Sequence, residues 1–303
     1  MNKMAAEFAQ ALSRELPTNP KVGEALHWGS RVLAASGSET PRLDAELLLG
    51  YVLGLSRSQL YVHWEEPLSP KKLQHYQELV QRRAQHEPVA YLVKSRAFYD
   101  VELYVDARVL IPRPETEHLI EEALAWAQQH PGYIRQIADV GTGSGALAIV
   151  LARHLPQAHV WAVDLSAQAL SVAARNIARY QLETQITLIQ GDLLTAFRGT
   201  FQLIVANLPY IDHAELSHLP PEVATYEPRL ALNGGQGGLE ILARFLPQAA
   251  ECLAAHGLLL LEIDPRQVAQ VCKLARASFP KANITLLRDY AGWERVVRIA
   301  HEG

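Results

Sequence analysis

The chain has 303 residues, of which 49% are hydrophobic and 20% charged, and its formal net charge is -4. This composition is that of an ordinary globular protein, and the acidic balance argues against a generally basic surface that would grip nucleic acid. The length exceeds that of a usual single domain, so one large and one smaller domain are expected.

Several other classes of protein are also disfavoured. No apolar run approaches the length of a membrane span, and the first residues lack the apolar core of a secretory signal, so we expect a cytoplasmic protein without a membrane partner. The twelve histidines show no pair with metal-ligand spacing, and Cys252 and Cys272 do not form a close pair. We therefore expect neither a disulfide framework nor a metal site.

The first part of the chain, up to about residue 85, is predicted to be helical only. Apolar residues recur at helical spacing over 21–36, and Thr40-Pro41 begins a second helix. A third helix is predicted over 69–83, with Ser69 as its N-cap. The apolar face of the second helix is expected to include Leu43, Leu47 and Leu48. We interpret this region as a small bundle without a catalytic constellation.

A stretch rich in β-branched and aromatic residues follows the bundle and predicts a hairpin between two domains. Its strands are expected at 97–105 and 109–111, with a turn at 106–108. Pro114 and the acidic residues beside it then begin another helix.

From residue 134 onward, predicted strands and helices alternate, which is typical of a parallel sheet with crossover helices. The strands are predicted at 137–140, 159–163, 186–189, 202–206, 257–263, 284–288 and 295–299. The helices between them are predicted at 146–154, 167–180, 239–255 and 266–278. The loop 211–238 is unusually long for a compact domain, so we expect it to be functional.

A glycine-rich loop follows the first of these strands. Its sequence is Asp139-Val-Gly-Thr-Gly-Ser-Gly145, which lets backbone N–H groups approach a ligand closely at the start of the next helix. The spacing differs from the G-x-G-x-x-G fingerprint of dinucleotide sites, and a purely structural glycine turn explains the loop equally well.

Polar side chains follow the next three strands, at the edge where open parallel sheets bind ligands. Asp164 is placed to accept hydrogen bonds from both hydroxyls of a ribose; helix capping is the alternative, for which Ser166 is better placed. Asp192 is suited to an adenine amine or to a simple turn, and Asn207 ends the fourth strand. Together with the glycine loop, these acceptors are much more specific than any one of them.

These motifs resemble the S-adenosylmethionine site of class I methyltransferases, and Asn207-Leu-Pro-Tyr210 matches their amino-methylating signature, Asn/Asp-x-Pro-aromatic. The resemblance implies a Rossmann-like α/β sheet, mostly parallel with an antiparallel C-terminal strand. It also implies S-adenosylmethionine as cofactor and S-adenosylhomocysteine as product. The implied cofactor-binding residues are Asp139, Gly141, Thr142, Gly143, Ser144, Gly145, Asp164, Leu165, Asp192, Leu193 and Asn207.

The Asn207-Leu208-Pro209-Tyr210 corner has a physical reason to methylate planar NH2 groups. If the Asn207 side-chain oxygen and the Leu208 carbonyl accept the two N–H bonds, the nitrogen is pinned with its lone pair directed at the donor methyl. Tyr210 is expected to stack on the flat target group, and a carbonyl or a water takes the proton. The signature itself is shared by adenine-N6 and glutamine methyltransferases, so it leaves the substrate open.

Segments outside the core resemble the glutamine methyltransferases that modify peptide chain release factors in translation termination. They are Thr40–Leu49, Glu87–Leu92, Val109–Glu117, Tyr226–Leu232 and Asp289–Val297. In that family the substrate is the glutamine of a Gly-Gly-Gln loop, methylated on its side-chain nitrogen (N5). The resemblance implies an N-terminal helical substrate-recognition domain at 1–86, a β-hairpin linker at 87–112 and a methyltransferase domain at 113–303.

Two alternatives share parts of this pattern. One is methylation of a glutamine in a ribosomal protein, and the other is adenine-N6 methylation of nucleic acid. The acidic net charge and the lack of a basic recognition segment disfavour a nucleic acid substrate. Arg113 is either a substrate contact or a hinge residue, and the hinge is slightly favoured.

Overall fold

A computed structural model describes residues 16–301 of the chain, which divides into two compact units. The first unit comprises the chain up to Lys94 together with Pro221–Tyr226, and the second comprises Ser95–Pro220 and the chain from Glu227. The loop helix Pro221–Tyr226 therefore belongs with the N-terminal helices rather than with the sheet. Throughout 16–301, every helix is too short or too polar to cross a membrane.

The first unit is helical, as predicted. Its helices are α1 Val22–Ala35, α2 Pro41–Leu53, α3 Arg57–Val62, α4 Pro70–Ala84 and α5 Val89–Val93. The predicted helices correspond to α1, α2 and α4, which pack around buried residues such as Leu26, Val32 and Tyr76. The short helices α3 and α5 were not predicted from the sequence. Helix α5 lies at the start of the stretch that was expected to be extended.

The helix α2 buries a different face from the one predicted. The expectation that Leu43 and Leu47 belong to the buried face is wrong, because these residues are 36% and 38% exposed. Leu48 is fully buried, as predicted. The helix also buries two acidic residues, Asp44 and Glu46.

Charged partners explain why these acids are buried. The Glu46 carboxylate accepts hydrogen bonds from Arg42, Arg57 and Tyr61. The Asp44 carboxylate accepts a hydrogen bond from Arg83 Nε at 2.8 Å. Burying a carboxylate is unfavourable unless it is paired and hydrogen-bonded. The spacing of apolar residues along α2 does not reveal such partners, so the helix face was misassigned.

The hairpin exists, but its turn lies earlier in the chain than predicted. Strand β1, Arg96–Phe98, pairs antiparallel with β2, Val101–Leu103, and Phe98 faces Val101 across the turn. Tyr99 in this turn has a φ of 52°, a left-handed conformation that is uncommon for an aromatic residue. The aromatic and β-branched residues around it gave no turn signal.

The chain does turn at 106–108, where the Val109 N–H donates to the Asp106 carbonyl at 3.1 Å, but this turn joins no strands, and the predicted strand at 109–111 is wrong. Just beyond β2, the Tyr104 N–H donates to Asn176 Oδ1 at 2.7 Å, and Asn176 Nδ2 donates to the Tyr104 carbonyl at 2.9 Å. A side chain thus satisfies the backbone groups that a further strand residue would have paired.

The second unit contains a seven-stranded sheet of order β5-β4-β3-β6-β7-β9-β8. Its strands are β3 Gln136–Val140, β4 His159–Asp164, β5 Ile186–Gln190, β6 Phe201–Ala206, β7 Leu253–Glu262, β8 Asn283–Arg288 and β9 Glu294–Ala300. Strands β3 to β7 run parallel, whereas β9 is antiparallel to both β7 and β8. The predicted sheet, mostly parallel with an antiparallel C-terminal strand, is confirmed.

Helices of the second unit connect these strands. They are α6 Glu117–Gln129, α7 Ala146–His154, α8 Ala167–Arg179, α9 Glu240–Cys252 and α10 Val268–Ser278. The helix predicted at 239–255 ends earlier, because the chain from Leu253 already belongs to β7. The strand order reverses at β3, whose neighbours are β4 and β6, and such a switch point opens a crevice beyond the carboxyl ends of the strands.

Candidate active site

A cavity of about 280 Å³ lies at the carboxyl ends of β3, β4, β5 and β6. The predicted site residues that line it are Gly141, Gly143, Asp164, Leu165, Asp192, Leu193, Asn207, Leu208 and Pro209. The predicted residues outside its lining are Asp139, Thr142, Ser144, Gly145 and Tyr210. The sheet therefore brings four separate loops together at one surface, as the strand endings predicted.

The glycine loop after β3 lies directly against the Asn207-Leu-Pro-Tyr corner. The N–H groups of Gly141 and Thr142 both donate to the Val163 carbonyl at 2.9 Å, which fastens the loop to β4. Gly141 has a φ of +78°, and a Cβ there would lie 3.1 Å from Leu208 Cδ2. Both the conformation and this close approach favour glycine at position 141.

Asp139 supports this loop from beneath. Its Oδ2 accepts hydrogen bonds from the Thr142 hydroxyl at 2.6 Å and the Ala148 N–H at 3.1 Å. The residue is 1% exposed, and within the described part of the chain its Oδ1 has no hydrogen-bond partner. Burial raises the pKa of Asp139 to about 7, against the effect of these two bonds.

Asp164, the last residue of β4, connects this strand to the glycine loop through hydrogen bonds. Its Oδ2 accepts from the Gly143 N–H and its Oδ1 from the Ser166 N–H, each at 2.9 Å. Burial raises the pKa of Asp164, although these hydrogen bonds act in the opposite direction. The N-cap of α8 is Ser166, whose hydroxyl accepts from the Ala169 N–H, as predicted.

Asp192, after β5, is paired with an arginine that the sequence did not single out. Arg244 on α9 donates to the Asp192 carboxylate, and both side chains line the cavity. Each is about half exposed, so the pair contributes little to stability.

Asn207 directly follows β6, and the nitrogen of its side-chain amide is already hydrogen-bonded. Its Nδ2 donates to the Thr116 hydroxyl at 2.9 Å. Within residues 16–301, no hydrogen bond to the Asn207 Oδ1 or to the Leu208 carbonyl is formed. The two oxygens that the sequence predicts as acceptors are therefore available to a ligand.

The Tyr210 hydroxyl points toward a buried carboxylate. It lies 3.4 Å from Oε1 of Glu262, the last residue of β7, which is 1% exposed. Burial raises the pKa of Glu262 to about 7, whereas the nearby Thr116 hydroxyl and the charge of Arg295 act to lower it. Sequence reasoning missed both Thr116 and Glu262. Glu262 carries a readable signal, since it ends an apolar strand just as Asn207 does, but Thr116 carries none.

The long loop contributes to the cavity and is fastened to the segment before α6. Pro228, Leu230 and Ala231 line the cavity. Glu227, which is buried, accepts hydrogen bonds from the Arg113 guanidinium and from the Ile111 N–H at 3.3 Å. Arg113 therefore binds a residue of the chain itself, and its role as hinge or substrate contact stays a prediction.

Two family models match this sequence. The one described as the PrmC N-terminal domain matches residues 24–93, and the one described as the methyltransferase small domain matches residues 121–220. Together they cover parts of both the helical unit and the sheet.

Curated relatives match over nearly the whole chain. The release factor glutamine methyltransferase of Moorella thermoacetica is 44% identical over 273 residues, which is 90% of this chain and 95% of that protein. The release factor glutamine methyltransferase of Rhodopirellula baltica is 40% identical over 280 residues, covering 90% of this chain and 93% of that protein.

A solved structure supports the fold. The catalytic domain of hMettl16, in complex with MAT2A 3'UTR hairpin 1, superposes with a TM-score of 0.51 at 17% identity, over 66% of this chain and 74% of that one. At this identity the likeness bears on fold alone. Together with the methyltransferase domain match, it confirms the predicted methyltransferase architecture.

Proposed function

Since the chain belongs to the release factor glutamine methyltransferase family, we propose that it methylates the side-chain nitrogen (N5) of the glutamine in the Gly-Gly-Gln motif of peptide chain release factors. The methyl group comes from S-adenosylmethionine. One observation carries the proposal: Asn207 and Leu208 line the same cavity as Gly141 and Gly143. An amide held by the corner therefore faces a methyl donor held by the glycine loop.

The residues around the cavity fit S-adenosylmethionine, which supplies an electrophilic methyl group when bound. Each Asp164 oxygen accepts one protein N–H, so acceptor capacity remains for ribose hydroxyls. Asp192 would accept from the adenine amine, with Leu165 and Leu193 beside it. The residues that would shape the loop without lining the cavity are Asp139, Thr142, Ser144 and Gly145.

The corner residues then hold the acceptor. An amide nitrogen is a poor nucleophile because its lone pair is conjugated with the carbonyl group. The Asn207 Oδ1 and the Leu208 carbonyl would accept both N–H bonds, which orients the nitrogen and stabilises the positive charge that develops on it. The Tyr210 ring would stack on the target amide, and a carbonyl or a water would take up the proton.

We also propose that three parts of the chain have separate tasks. The helical domain, 1–86, would help to hold the release factor, the linker 87–112 would connect it, and the domain 113–303 would carry the chemistry. The match of the PrmC N-terminal domain to residues 24–93 supports a family-specific task for the helices. A translation factor as substrate places this activity in the cytoplasm.

A labelling experiment tests the proposed function. The protein is incubated with radiolabelled S-adenosylmethionine and, separately, with release factor, ribosomal proteins, DNA and RNA. We expect label on the release factor, and none on a release factor whose Gly-Gly-Gln glutamine is replaced by alanine. Label on ribosomal protein or nucleic acid alone would overturn the proposal.

A further inference from the structure

We propose that Gln267 is a positioning residue, which holds the downstream end of the Asn207-Leu-Pro-Tyr corner and thereby orients the acceptor that the Leu208 carbonyl offers to the target amide. This inference rests on the proposed function, because it concerns the same transfer reaction. It assigns a task to a polar residue that lies outside the cavity lining.

Gln267 lies at the same edge of the sheet as the corner. It ends a 3₁₀ turn, Pro265–Gln267, between β7 and α10. The corner begins directly after β6, which pairs with β7 in parallel, and Ala206 and Leu261 are register partners on these strands. The segments that follow the two strands are therefore neighbours, although Gln267 and Tyr210 are 57 residues apart in the chain.

The side-chain nitrogen of Gln267 binds two backbone carbonyls. Nε2 donates to the Tyr210 carbonyl at 2.8 Å and to the Gly237 carbonyl at 3.0 Å. Only the nitrogen of the amide can donate to a carbonyl oxygen, so these two partners fix the orientation of the amide. Its Oε1 is buried and has no hydrogen-bond partner among residues 16–301. Because an unpartnered buried oxygen is unfavourable, the presence of the amide is explained by the carbonyls that its nitrogen holds.

The peptide bond that leads out of the corner is hydrogen-bonded on both sides. The Tyr210 carbonyl accepts from Gln267, and the Ile211 N–H donates to the Leu232 carbonyl at 3.1 Å. In addition, the Gly234 N–H donates to the Ile211 carbonyl at 2.9 Å. The peptide plane between Tyr210 and Ile211 therefore cannot rotate without breaking hydrogen bonds, and only the bond from Gln267 is made by a side chain.

The Leu208 carbonyl lies between the two held ends of the corner. At the start of the corner, Ala206 is paired within the sheet, and the Leu208 side chain is buried. At its end, Gln267 holds Tyr210, and the ring of Pro209 restricts φ between them. The Leu208 carbonyl thus has little freedom, while in the described part of the chain it forms no hydrogen bond. An acceptor fixed in this way needs no rearrangement when the target N–H group arrives, which favours transfer.

A glycine of the long loop packs against the carbonyl that Gln267 holds. Gly238 is buried and has a φ of +69°, and a Cβ there would collide with the Tyr210 carbonyl oxygen and with Gln267 Nε2. Gly237 is also left-handed, with a φ of +63°, but a Cβ there would have open space among the described residues. The close approach to the corner therefore requires glycine at position 238 for a reason that does not apply at position 237.

Matched variants test the proposal with release factor as substrate, and rates are expressed per folded protein. Gln267→Met keeps the length of the side chain but removes both donors, and we expect kcat to fall by about 10- to 100-fold, as small misplacements near reacting atoms do. The KM for release factor and the calorimetric Kd for S-adenosylmethionine should stay nearly unchanged, because contacts outside the corner are intact. Gln270→Met, which alters an exposed glutamine on α10, is the control and should retain kcat.

A second pair of variants moves the same carbonyl from the other side. Gly238→Ala and Gly237→Ala both place alanine in a left-handed conformation, but only the first displaces the Tyr210 carbonyl. We therefore expect Gly238→Ala to lower kcat by about tenfold or more and Gly237→Ala to retain it.

The outcomes separate a positioning role from a structural one. A merely structural Gln267 would lower the free energy of unfolding in Gln267→Met, measured by chemical denaturation, while the folded variant kept its kcat. Unchanged kcat in Gln267→Met would therefore overturn the proposal, as would equal losses of kcat in the two alanine variants. If Gln267→Met does not fold, the alanine pair decides by the same comparison. If wild-type protein leaves release factor unmodified, the proposed function fails instead; the variants are then compared on the substrate that the labelling experiment identifies.

Discussion

Buried carboxylates occur in both units of the protein, but their surroundings differ. In the helical unit, Glu46 is buried, yet hydrogen bonds from Tyr61 and from two arginines outweigh that burial and lower its pKa. In the sheet unit, Asp139 and Glu262 are equally buried, and no arginine among residues 16–301 donates a hydrogen bond to them; burial raises the pKa of each to about 7.

The difference separates an acid that is held by local ion pairs from acids that are buried beside the candidate active site. Glu46 is paired as a structural ion pair requires, so its charge is retained by strong local bonds. Asp139 and Glu262 lie at or near the carboxyl ends of strands, where Asp139 accepts a hydrogen bond from Thr142 in the glycine loop and Glu262 one from Tyr210. Strongly raised pKa values of this kind are frequent at functional sites.

The largest expected effect follows from removing the Asn207 amide, which is proposed to hold the substrate nitrogen. Asn207→Ala should lower kcat by about 1,000-fold, because an acceptor for the target N–H group is lost. Cofactor binding should be largely retained, since Asp164 and the glycine loop are intact. Single-turnover kinetics together with calorimetry measures both quantities, and normal turnover by this variant would contradict the amide-pinning mechanism.

The second prediction distinguishes binding of the cofactor from binding of the target amide within the sheet unit. Asp164→Ala should weaken the binding of S-adenosylmethionine by about 10- to 100-fold, because a charge-assisted hydrogen-bond acceptor is removed from the cavity. Titration calorimetry measures the change. Glu251→Ala, which removes an exposed acid outside the cavity lining, serves as the control and should leave the Kd nearly unchanged.

The third effect concerns the helical unit. Glu46→Ala leaves the guanidinium groups of Arg42 and Arg57 and the Tyr61 hydroxyl without their shared acceptor, and should lower the free energy of unfolding by about 1–3 kcal/mol. Chemical denaturation measures the loss. Glu65→Ala, which breaks only an exposed ion pair with Lys21, is the control and should leave the free energy of unfolding nearly unchanged.

The smallest expected effect is an increase in stability rather than a loss. Because burial raises the pKa of Glu262 above its usual value, the folded protein binds more protons than the unfolded chain between about pH 4.5 and 7. The ionised residue therefore destabilises the fold above pH 7, and Glu262→Gln should stabilise it there by about 1 kcal/mol. This advantage should shrink toward pH 5, as the native carboxyl group becomes protonated. Denaturation curves at pH 8 and pH 5 check the sign, and destabilisation at pH 8 would contradict it.

Local patterns in the sequence predicted most of the sheet unit. The bounds of α7 agree with the prediction at both ends, and Asp164, Asp192 and Asn207 lie around one cavity because parallel strands end at the same edge. These features follow from strand periodicity and from the residues that interrupt it.

The remaining features depend on contacts between distant residues. Asn207 and Thr116 are 91 residues apart, and no spacing rule connects them. The buried face of α2 depends on arginines from α3 and α4. Strand β2 ends where the side chain of Asn176 on α8 bonds to the backbone of Tyr104. In each case a polar side chain binds a partner that local periodicity in the sequence does not reveal.

The most direct test of the account locates the methyl group on the substrate. Release factor is incubated with the protein and S-adenosylmethionine, digested, and analysed by mass spectrometry with fragmentation of the peptide that carries the Gly-Gly-Gln motif. The account predicts one added methyl group on the side chain of that glutamine with wild-type protein, and none with Asn207→Ala. An unmodified glutamine with the wild-type protein, or full modification by the Asn207→Ala variant, would contradict it.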